Sequence, residues 1–512
     1  MIKKCFLPLM LICSFVQSFP NRDEKDTQFW FKEAQNSLQR NLARRENIGI
    51  AKNVIFFLGD GMGLATITAA RIYKGQKNKN LGEEQFLAFE KFPYVSLVKT
   101  YALDKQVADS ANTATAYLCG VKANFGTLGV NGRVKFEDCQ ASKDVSNHVT
   151  SILEWAQNAG KSTGFITTTR VTHASPAALY SHSASRDWES FSDDPDCPDI
   201  ALQLVTSRPG KDIQVILGGG RKTFLNSTKG REDGRKDGRD LIEEWMNDKI
   251  NRKLKAAYVS NLRQFNDFRE RSADYLLGLF NEDHLNYVTD LEEGEPRREP
   301  TLEEMTKKSI EILKRNPKGF FLFIEGGRID TAHHTNNALK ALEETLQMDK
   351  AIETALHMTS EEDTLMIVTA DHSHTMTING YPKRGNNILG IADVSDLDNL
   401  TYTTLLYSNG PGWKAREINL TSEETSDKEY QQNSAFLASA ETHGGEDVTV
   451  HAIGPMAHLF QGIQEQSYIP HALSYAACIG PNLHYCQSSA FSFKPNYLLF
   501  PSLIIIFYHN IH

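Results

Sequence analysis

The sequence predicts an α/β fold with a doubly wound, mainly parallel central sheet flanked by helices. Short apolar runs rich in β-forming residues recur along the chain, helical patterns separate them, and polar clusters follow their carboxyl ends. This alternation is typical of parallel sheets that are covered on both faces. The predicted strands are residues 53–58, 162–168, 213–217, 320–324 and 364–369.

Two connecting helices have the clearest sequence signals. One begins with a capping box at Thr301 and Glu304 and ends before Pro317. The other runs from about Asn337 to Met358, with apolar residues at helical spacing.

Two stretches break the alternation. Residues 380–440 have sparse periodicity and several Gly and Pro residues, which indicates a small inserted surface subdomain. Residues 229–240 are rich in Gly, Arg and Asp and predict a solvated surface loop.

The composition is that of an ordinary globular protein: of 512 residues, 40% are hydrophobic and 23% charged. The formal net charge is −9, and no long run of Lys and Arg occurs. A nucleic-acid-binding surface would need such a basic footprint, so the sequence predicts no specific nucleic-acid binding. An anionic substrate would have to be attracted locally, for example by bound cations.

Residues 1–18 have the features of a secretory signal peptide: two lysines, an apolar run from Phe6 to Val16, and the small residue Ser18 at the cleavage point. The alternative is a membrane anchor. Because a membrane-spanning helix needs roughly 20 apolar residues, we favour cleavage and a domain that covers residues 19–487.

The other end of the chain carries a second signal. The small residues Ser488, Ser489 and Ala490 precede a short polar stretch and an apolar tail over 497–508. This order predicts that residues 490–512 are a propeptide replaced by a glycolipid (GPI) anchor at one of the three small residues. The alternative is a buried terminal strand.

Five of the seven cysteines remain after cleavage of the signal peptide, which allows two disulfides in an oxidising compartment and one spare thiol. The sequence favours Cys478 with Cys486 as a small loop, Cys139 with Cys197 as the long-range pair, and Cys119 as a buried free thiol. N-x-Ser/Thr sequons, typical of secreted glycoproteins, begin at Asn226, Asn399 and Asn419.

Polar clusters stand where a doubly wound sheet collects its functional groups, at the carboxyl ends of the strands. They occupy residues 59–63, 172–176, 325–334, 371–374 and 441–446.

Several residues of these clusters have the chemistry of metal ligands. Asp330 and His334 stand at i and i+4, so on a helix both face one way and could share a metal, whereas His333 points elsewhere. Asp371 and His372 can converge where a strand ends. Carboxylate and imidazole without thiolate suit a pair of catalytic zinc ions. The oxygen ligands of Ser175 and Glu325 suit magnesium.

The candidate nucleophile is Ser110, at the start of an Ala-rich helix whose N-terminus favours an anion. The alternative is that Ser110 only caps the helix. No histidine base follows in a hydrolase elbow, so a metal would have to lower the pKa of the hydroxyl. Arg186 could bind phosphate with its planar guanidinium; the alternative is an isolated surface arginine.

In combination, these motifs resemble animal alkaline phosphatases, and the resemblance extends from Phe29 to Cys486. It implies one zinc ion at Asp330, His334 and His443, a second beside Ser110 at Asp60, Asp371 and His372, and one magnesium ion at Asp60, Ser175 and Glu325. It also implies that Arg186 binds the phosphate, that His173 belongs to the network around it, and that His374 orients a metal ligand.

The activity implied by the resemblance is hydrolysis of phosphate monoesters through a phosphoserine at Ser110. Small phosphate monoesters and phosphorylated macromolecules are the expected substrates. The family further implies a homodimer, a GPI-anchored enzyme at the extracellular face of the plasma membrane, and a crown-like subdomain over residues 380–440.

Two positions depart from the family pattern. Thr331 stands where relatives commonly have His or Lys, so we expect an altered dependence on magnesium. A calcium site of the animal relatives is matched by Phe280 and by Glu299, but Asn281 replaces an acid. Loss of a charged ligand lowers calcium affinity, so the sequence argues against this ion.

Two other functions compete with this interpretation. A phosphodiesterase or a sulfatase could share the metal scaffold, but the Cys-x-Pro-x-Arg motif of sulfatases is absent. An inactive surface glycoprotein would be expected to lose a ligand or the nucleophile, and all are present. The sequence therefore favours a monoesterase.

Overall fold

The computed structural model describes residues 24–192, 194, 196–226, 234–290, 296–415 and 420–486. The signal peptide, the GPI propeptide with Ser488, Ser489 and Ala490, and the sequon at Asn419 lie outside these residues. The described α-helices are α1 Thr27–Ala43, α2 Leu64–Lys77, α3 Ser110–Cys119, α4 Cys139–Lys143, α5 Ile152–Asn158, α6 Ala174–Ala177, α7 Ile200–Thr206, α8 Leu241–Asn251, α9 Leu262–Asp267, α10 Leu302–Leu313, α11 Arg328–His334, α12 Ala338–Met358, α13 Ser422–Thr425 and α14 Tyr468–Ala477.

The strands begin and end as follows: β1 Asn53–Gly59, β2 Tyr94–Lys99, β3 Ser162–Arg170, β4 Val215–Gly219, β5 Ala256–Val259, β6 Tyr275–Leu279, β7 Phe320–Gly326, β8 Thr364–Ala370, β9 Ser373–His374, β10 Met376–Ile378, β11 Ile391–Val394, β12 Thr401–Thr403, β13 Leu405–Gly410, β14 Ser434–Leu437, β15 His443–Gly444, β16 Val448–Ile453 and β17 Gly462–Glu465.

The chain separates into two compact units after Glu46. Within the described part of the first unit, α1 begins after Asp26, whose carboxylate caps the helix by accepting a hydrogen bond from Gln28 N. None of its residues is buried.

The second unit is built on a sheet of ten described strands in the order β17-β2-β16-β8-β1-β7-β3-β4-β6-β5. The strands from β8 to β5 are parallel to one another, and β16 pairs antiparallel with both β8 and β2. Helices connect the parallel strands, as expected for a doubly wound sheet. The predicted α/β fold is therefore confirmed.

The central strands are mainly apolar because both faces of the sheet are covered. Every residue of β1, β7 and β8 is buried. Phe56 of β1 packs against Phe323 of β7 and against Tyr117 of α3, with ring centroids 5.6 and 5.5 Å apart. These contacts seat α3 on the sheet and so fix the position of its first residue, Ser110.

Both helices singled out by the sequence are present. Thr301 caps α10 with the reciprocal Glu304 bond, and Asn337 caps α12 through its side chain. Strand β4 runs from Val215 to Gly219, two residues later than the predicted 213–217. The strands β2, β5, β6, β16 and β17 were not predicted.

Three small sheets stand outside the central one: β10-β13-β14, β11-β12 and β15-β9. Their strands β11, β12, β13 and β14 lie within residues 380–440, for which the sequence predicts a subdomain, whereas β10 precedes that stretch. The pairing of β15 with β9 has a functional consequence, because it places His443 opposite His374.

The prediction of a solvated surface loop over 229–240 is wrong at Arg235, which lies in the described part of this stretch. Arg235 is 1% exposed and forms a bidentate pair with Asp199, at 2.9 and 2.8 Å. A buried guanidinium needs such a partner because an unpaired buried charge is costly. This stretch therefore carries an internal ion pair rather than solvated charges alone.

In the part of the chain that the structure describes, no helix has the length and apolar character needed to cross a membrane.

Candidate functional site

The predicted polar clusters converge at the carboxyl ends of the parallel strands. Asp60 follows β1, Glu325 lies near the end of β7, and Asp371 follows β8; all three are fully buried. Since adjacent parallel strands end at the same edge, their terminal side chains face one common volume.

One trio of potential ligands consists of Asp330, His334 and His443. His334 Nε2 lies 3.3 Å from Asp330 Oδ1, and His443 Nε2 lies 3.5 Å from the same oxygen. The two imidazole nitrogens are 3.2 Å apart. Helix α11 presents Asp330 and His334 on one face, as their spacing predicts.

A second trio consists of Asp60, Asp371 and His372. His372 Nε2 lies 3.6 Å from Asp60 Oδ1 and 3.1 Å from Asp371 Oδ2. The Ser110 hydroxyl completes this group, with Oγ 3.4 Å from Asp60 Oδ1 and 3.2 Å from His372 Nε2.

Both trios have the dimensions of a zinc site. Tetrahedral zinc with ligands at about 2.0–2.1 Å has neighbouring ligand atoms about 3.3 Å apart. The separations of 3.1 to 3.6 Å observed in the two trios bracket that value. The donor sets therefore fit the pair of zinc ions that the family implies.

A third cluster offers carboxylate and hydroxyl oxygens, and a ring nitrogen of His173 lies within 4.8 Å of the ligand oxygens of Asp60 and Glu325. Asp60 Oδ2, Ser175 Oγ and Glu325 Oε1 are buried and have no hydrogen-bond partner among the described residues. The other oxygen of Glu325 accepts a hydrogen bond from Thr167 Oγ1 at 2.5 Å, which leaves Oε1 free to face the cluster. Buried polar atoms are normally satisfied, so three unsatisfied oxygens in one place fit a hard cation such as magnesium.

The electrostatics of the cluster also require positive charge. Burial, and then the nearby Asp371, Asp330 and Glu325 carboxylates, raise the pKa of Asp60 well above its usual range. Burial raises the pKa of Glu325 to about 7. Several acids held together in a low-dielectric site cannot all ionise without a counter-ion, and bound cations would supply one.

Ser110 is the first residue of α3 and not its N-cap, which corrects the capping alternative. The cap is Asp109, whose carboxylate accepts from the backbone N–H groups of Ala111 and Asn112. The hydroxyl of Ser110 is therefore free to face Asp60 and His372, at the positive end of the helix.

Arg186 lies in the site and not on an open surface. Its Nη1 donates to Asp109 Oδ2 at 3.1 Å, and its Nη2 lies 3.0 Å from His173 Nε2. Burial, and then the Arg186 charge, lower the pKa of His173 well below its usual range, so the ring is neutral and can accept this hydrogen bond. The guanidinium is thus oriented from two sides beside Ser110.

Sequence reasoning missed the role of Glu441. This residue is 1% exposed, and its carboxylate bonds to His374 Nδ1 and accepts from Thr375 N at 2.6 Å. His374 Nε2 in turn lies 2.7 Å from Asp330 Oδ1. The backbone carbonyl of Glu441 also accepts from His334 Nδ1. Glu441 therefore holds the imidazoles of His334 and His374. The only sequence signal for this role is that Glu441 lies two residues before His443.

Gly61 leaves room for His374 behind the cluster. Its φ is +69°, and a Cβ there would lie 2.4 Å from His374 Cδ2. Only glycine adopts this conformation readily and avoids the clash.

The hydroxyl of Thr331 is engaged in two hydrogen bonds. Its Oγ1 donates to the carbonyl of Arg328 at 3.1 Å and accepts from Tyr287 Oη at 3.2 Å. His333, as expected, points away from the metal ligands, toward Thr66 Oγ1 and Tyr407 Oη.

At the calcium position that the resemblance implies, the carboxylate of Glu299 is held by asparagine donors. Glu299 accepts hydrogen bonds from Asn281 Nδ2 at 2.5 Å, Asn286 Nδ2 at 3.0 Å and Asn286 N at 2.9 Å. N–H donors thus satisfy both oxygens of this carboxylate.

The remaining predicted residues are placed as follows. Cys139 is bonded to Cys197 with Cα atoms 6.0 Å apart, Cys478 is bonded to Cys486, and Cys119 is a buried free thiol. Asn226 is half-buried and Asn399 exposed.

Known proteins resemble this chain in sequence and in fold. The sequence profile of a family described as alkaline phosphatase matches residues 51–479. Over 95% of the chain, the sequence is 48% identical to the tissue-nonspecific isozyme of alkaline phosphatase from Gallus gallus, of which it covers 96%. It is 45% identical, over 91% of the chain, to membrane-bound alkaline phosphatase from Bombyx mori, of which it covers 88%. The crystal structure of Thermus thermophilus alkaline phosphatase shares the fold, with a TM-score of 0.62 and 22% identity over 86% of this chain and 94% of that chain.

Proposed function

Because this chain belongs to the alkaline phosphatase family and is a phosphatase, we propose that it hydrolyses phosphate monoesters through a phosphoserine at Ser110. The observation that carries the proposal is the position of the Ser110 hydroxyl. It is buried at the N-terminus of α3, within 3.4 Å of Asp60 and 3.2 Å of His372. Arg186, whose guanidinium suits phosphate, donates a hydrogen bond to Asp109, the residue that precedes Ser110.

The proposed metal ligands follow the three clusters. One zinc ion would be held by Asp330, His334 and His443, a second by Asp60, Asp371 and His372, and one magnesium ion by Asp60, Ser175 and Glu325. Bound there, the cations would lower the pKa of a hydroxyl group and offset the charge of the transferring phosphoryl group.

The side chains of the site have distinct tasks in the reaction. Ser110 Oγ attacks phosphorus; the Oγ–P bond forms, the ester P–O bond breaks, and the alcohol leaves with a proton. Water then attacks phosphorus, the Oγ–P bond breaks, Ser110 regains its proton, and inorganic phosphate departs. Arg186 binds the equatorial phosphate oxygens, and Asp109 and His173 hold its guanidinium in place. The N-terminus of α3 stabilises the negative charge near Ser110.

The named contacts concern the phosphoryl group, so small phosphate monoesters and phosphorylated macromolecules are both proposed substrates. We expect no specific nucleic-acid binding, because the net charge of −9 and the lack of basic runs oppose it.

We place the enzyme at the extracellular face of the plasma membrane, with a GPI anchor, glycans at the sequons and its two disulfides. The relative from Bombyx mori is named membrane-bound, which supports this location. A homodimer is supported by α1, which exposes Trp30, Phe31, Leu38 and Leu42 by half or more of their surface and so offers apolar area to a second copy.

The test is hydrolysis of a chromogenic phosphate monoester by the secreted protein, before and after chelation, with zinc and magnesium restored. Ser110→Ala should lower kcat at least about 1000-fold, whereas Ser309→Ala, at another fully buried serine, should not. A phosphate diester and a sulfate ester, assayed in parallel, should be poor substrates. The proposal fails if the folded, metal-loaded wild type does not hydrolyse the monoester or if Ser110→Ala remains active.

A further inference from the structure

His284 packs against the phosphate site without belonging to it. The residue lies in the loop after β6, and its side chain is 17% exposed. Its ring meets that of His173 edge to face, with centroids 5.4 Å apart and planes at 80°. This is a favourable arrangement for two aromatic rings. His173 is the residue that accepts from Arg186.

Arg170, the last residue of β3, holds the ring of His284 in place. Its backbone nitrogen lies 3.2 Å from His284 Nδ1, and its guanidinium Nη1 lies 2.8 Å from Nε2. Arg170 is itself fixed by Glu189, which accepts from Nε at 2.8 Å and from Nη2 at 2.6 Å, and by Asp283, which accepts from Nη1 at 2.6 Å. Because a neutral imidazole has a single acceptor nitrogen, the ring accepts a hydrogen bond from only one of these two donors. One such bond, from an arginine that is itself bonded to two carboxylates, limits rotation of the ring.

The network reaches the site by the backbone as well. The amide of His173 donates to the carbonyl of Arg170 at 3.0 Å. Thr172 Oγ1 donates to Glu189 Oε2 at 2.6 Å, so the residue before His173 is bound to the same carboxylate. His173 is therefore supported through its backbone by Arg170 and through its ring by His284.

Charge does not explain this arrangement. Burial, followed by the Arg170 and Arg328 charges, lowers the pKa of His284 to about 3, so its ring is neutral at physiological pH. A neutral ring adds no attraction for phosphate, and packing is what it contributes.

We propose that His284 is a positioning residue of the phosphate site: its ring, clasped by Arg170, holds His173 in the orientation that supports Arg186. This inference rests on the proposed function, since it assigns Arg186 to the phosphate. The role is indirect, because His284 touches neither Ser110 nor any proposed metal ligand among its described hydrogen bonds and ring contacts.

The experiment measures binding of inorganic phosphate to the metal-loaded protein by calorimetry, which does not depend on turnover. His284→Ala, His173→Ala and the double variant form a double-mutant cycle. His284→Asn serves as a second variant that removes the ring and retains a polar group for Arg170. The matched control is His357→Ala, at an exposed histidine of α12.

We expect His284→Ala and His284→Asn each to weaken phosphate binding about 10-fold and to raise KM more than they lower kcat, with an unchanged thermal midpoint. In the His173→Ala background, removal of His284 should have little further effect, because the ring would have nothing left to hold. The control should bind phosphate as the wild type does. Unchanged phosphate affinity in both His284 variants, or fully additive losses in the cycle, would overturn the inference. An inactive wild type would instead refute the proposed function.

Discussion

Glu441 provides the sharpest test of how the metal ligands are held. The substitution Glu441→Gln keeps the size of the side chain and removes its charge. In the structure, the carboxylate bonds to His374 Nδ1 and accepts from Thr375 N and Oγ1, at 2.6 and 2.5 Å. His374 then holds Asp330, a proposed zinc ligand, at 2.7 Å. The substitution therefore acts on the zinc trio through one intervening imidazole.

The expected magnitude follows from the bonds lost. Glutamine can still accept from Thr375 N, but its bond to His374 is no longer charge-assisted. A hydrogen bond to a charged group contributes roughly 1.5–3 kcal/mol, which corresponds to roughly 10- to 100-fold in an equilibrium constant. We therefore expect zinc to bind 10- to 100-fold more weakly, in line with the effect of other residues that orient metal ligands.

The assay is zinc content by mass spectrometry after dialysis against a series of chelator concentrations, with the loss of activity followed in parallel. Glu446→Gln is the matched control, because the same change is made five residues later at an exposed carboxylate that accepts from Ser373 Oγ. If Glu441→Gln retains zinc as the wild type and the control do, the orienting role assigned to Glu441 is wrong.

Three further results are expected. Thr331→His should change the magnesium concentration for half-maximal activity, and an unchanged magnesium titration and rate would contradict the altered dependence inferred from this position. Arg235→Ala should lower the free energy of unfolding in urea by about 3–5 kcal/mol, since Asp199 would remain buried and unpaired. Arg239→Ala, in an exposed pair, should lower it by less than about 1 kcal/mol. Equal effects of the two substitutions would refute the stabilising role of the buried pair. Burial lowers the pKa of His451 to about 4, below its unfolded value of about 6.5. The unfolded state therefore binds the proton first, and stability falls as the pH drops from 6.5 toward 4. Thermal unfolding at pH 7 and pH 5 should show this loss of stability in the wild type and a smaller loss in His451→Gln.

The strands that the sequence predicted are the ones whose local pattern is unambiguous. The segments now seen as β1, β7 and β8 contain continuous apolar runs, because both of their faces are covered, and β3 is rich in β-branched threonine. Strand β2 was missed because it is partly exposed and its pattern is broken by polar residues. Strand β16 lies antiparallel between β8 and β2. The local sequence of a strand does not indicate which other strands it will pair with.

The site divides in the same way. The joint orientation of Asp330 and His334 follows from their spacing on one helix, which is local information. The third member of that trio, His443, arrives from a distant segment through the pairing of β15 with β9. The identification of Ser110 was open to a capping interpretation until Asp109 was seen to cap the helix.

The sequence by itself determined the parallel α/β sheet, the family resemblance, and the ligand chemistry of carboxylate and imidazole, because each is written in residue type and short-range spacing. Only the tertiary structure decided that Glu441 holds His374, that Arg235 is buried against Asp199, that Glu299 is satisfied by amide donors, and that His284 packs on His173. These contacts join residues that are separated in the sequence. No local period encodes such meetings, because they are selected by packing and by the need to pair every buried polar group.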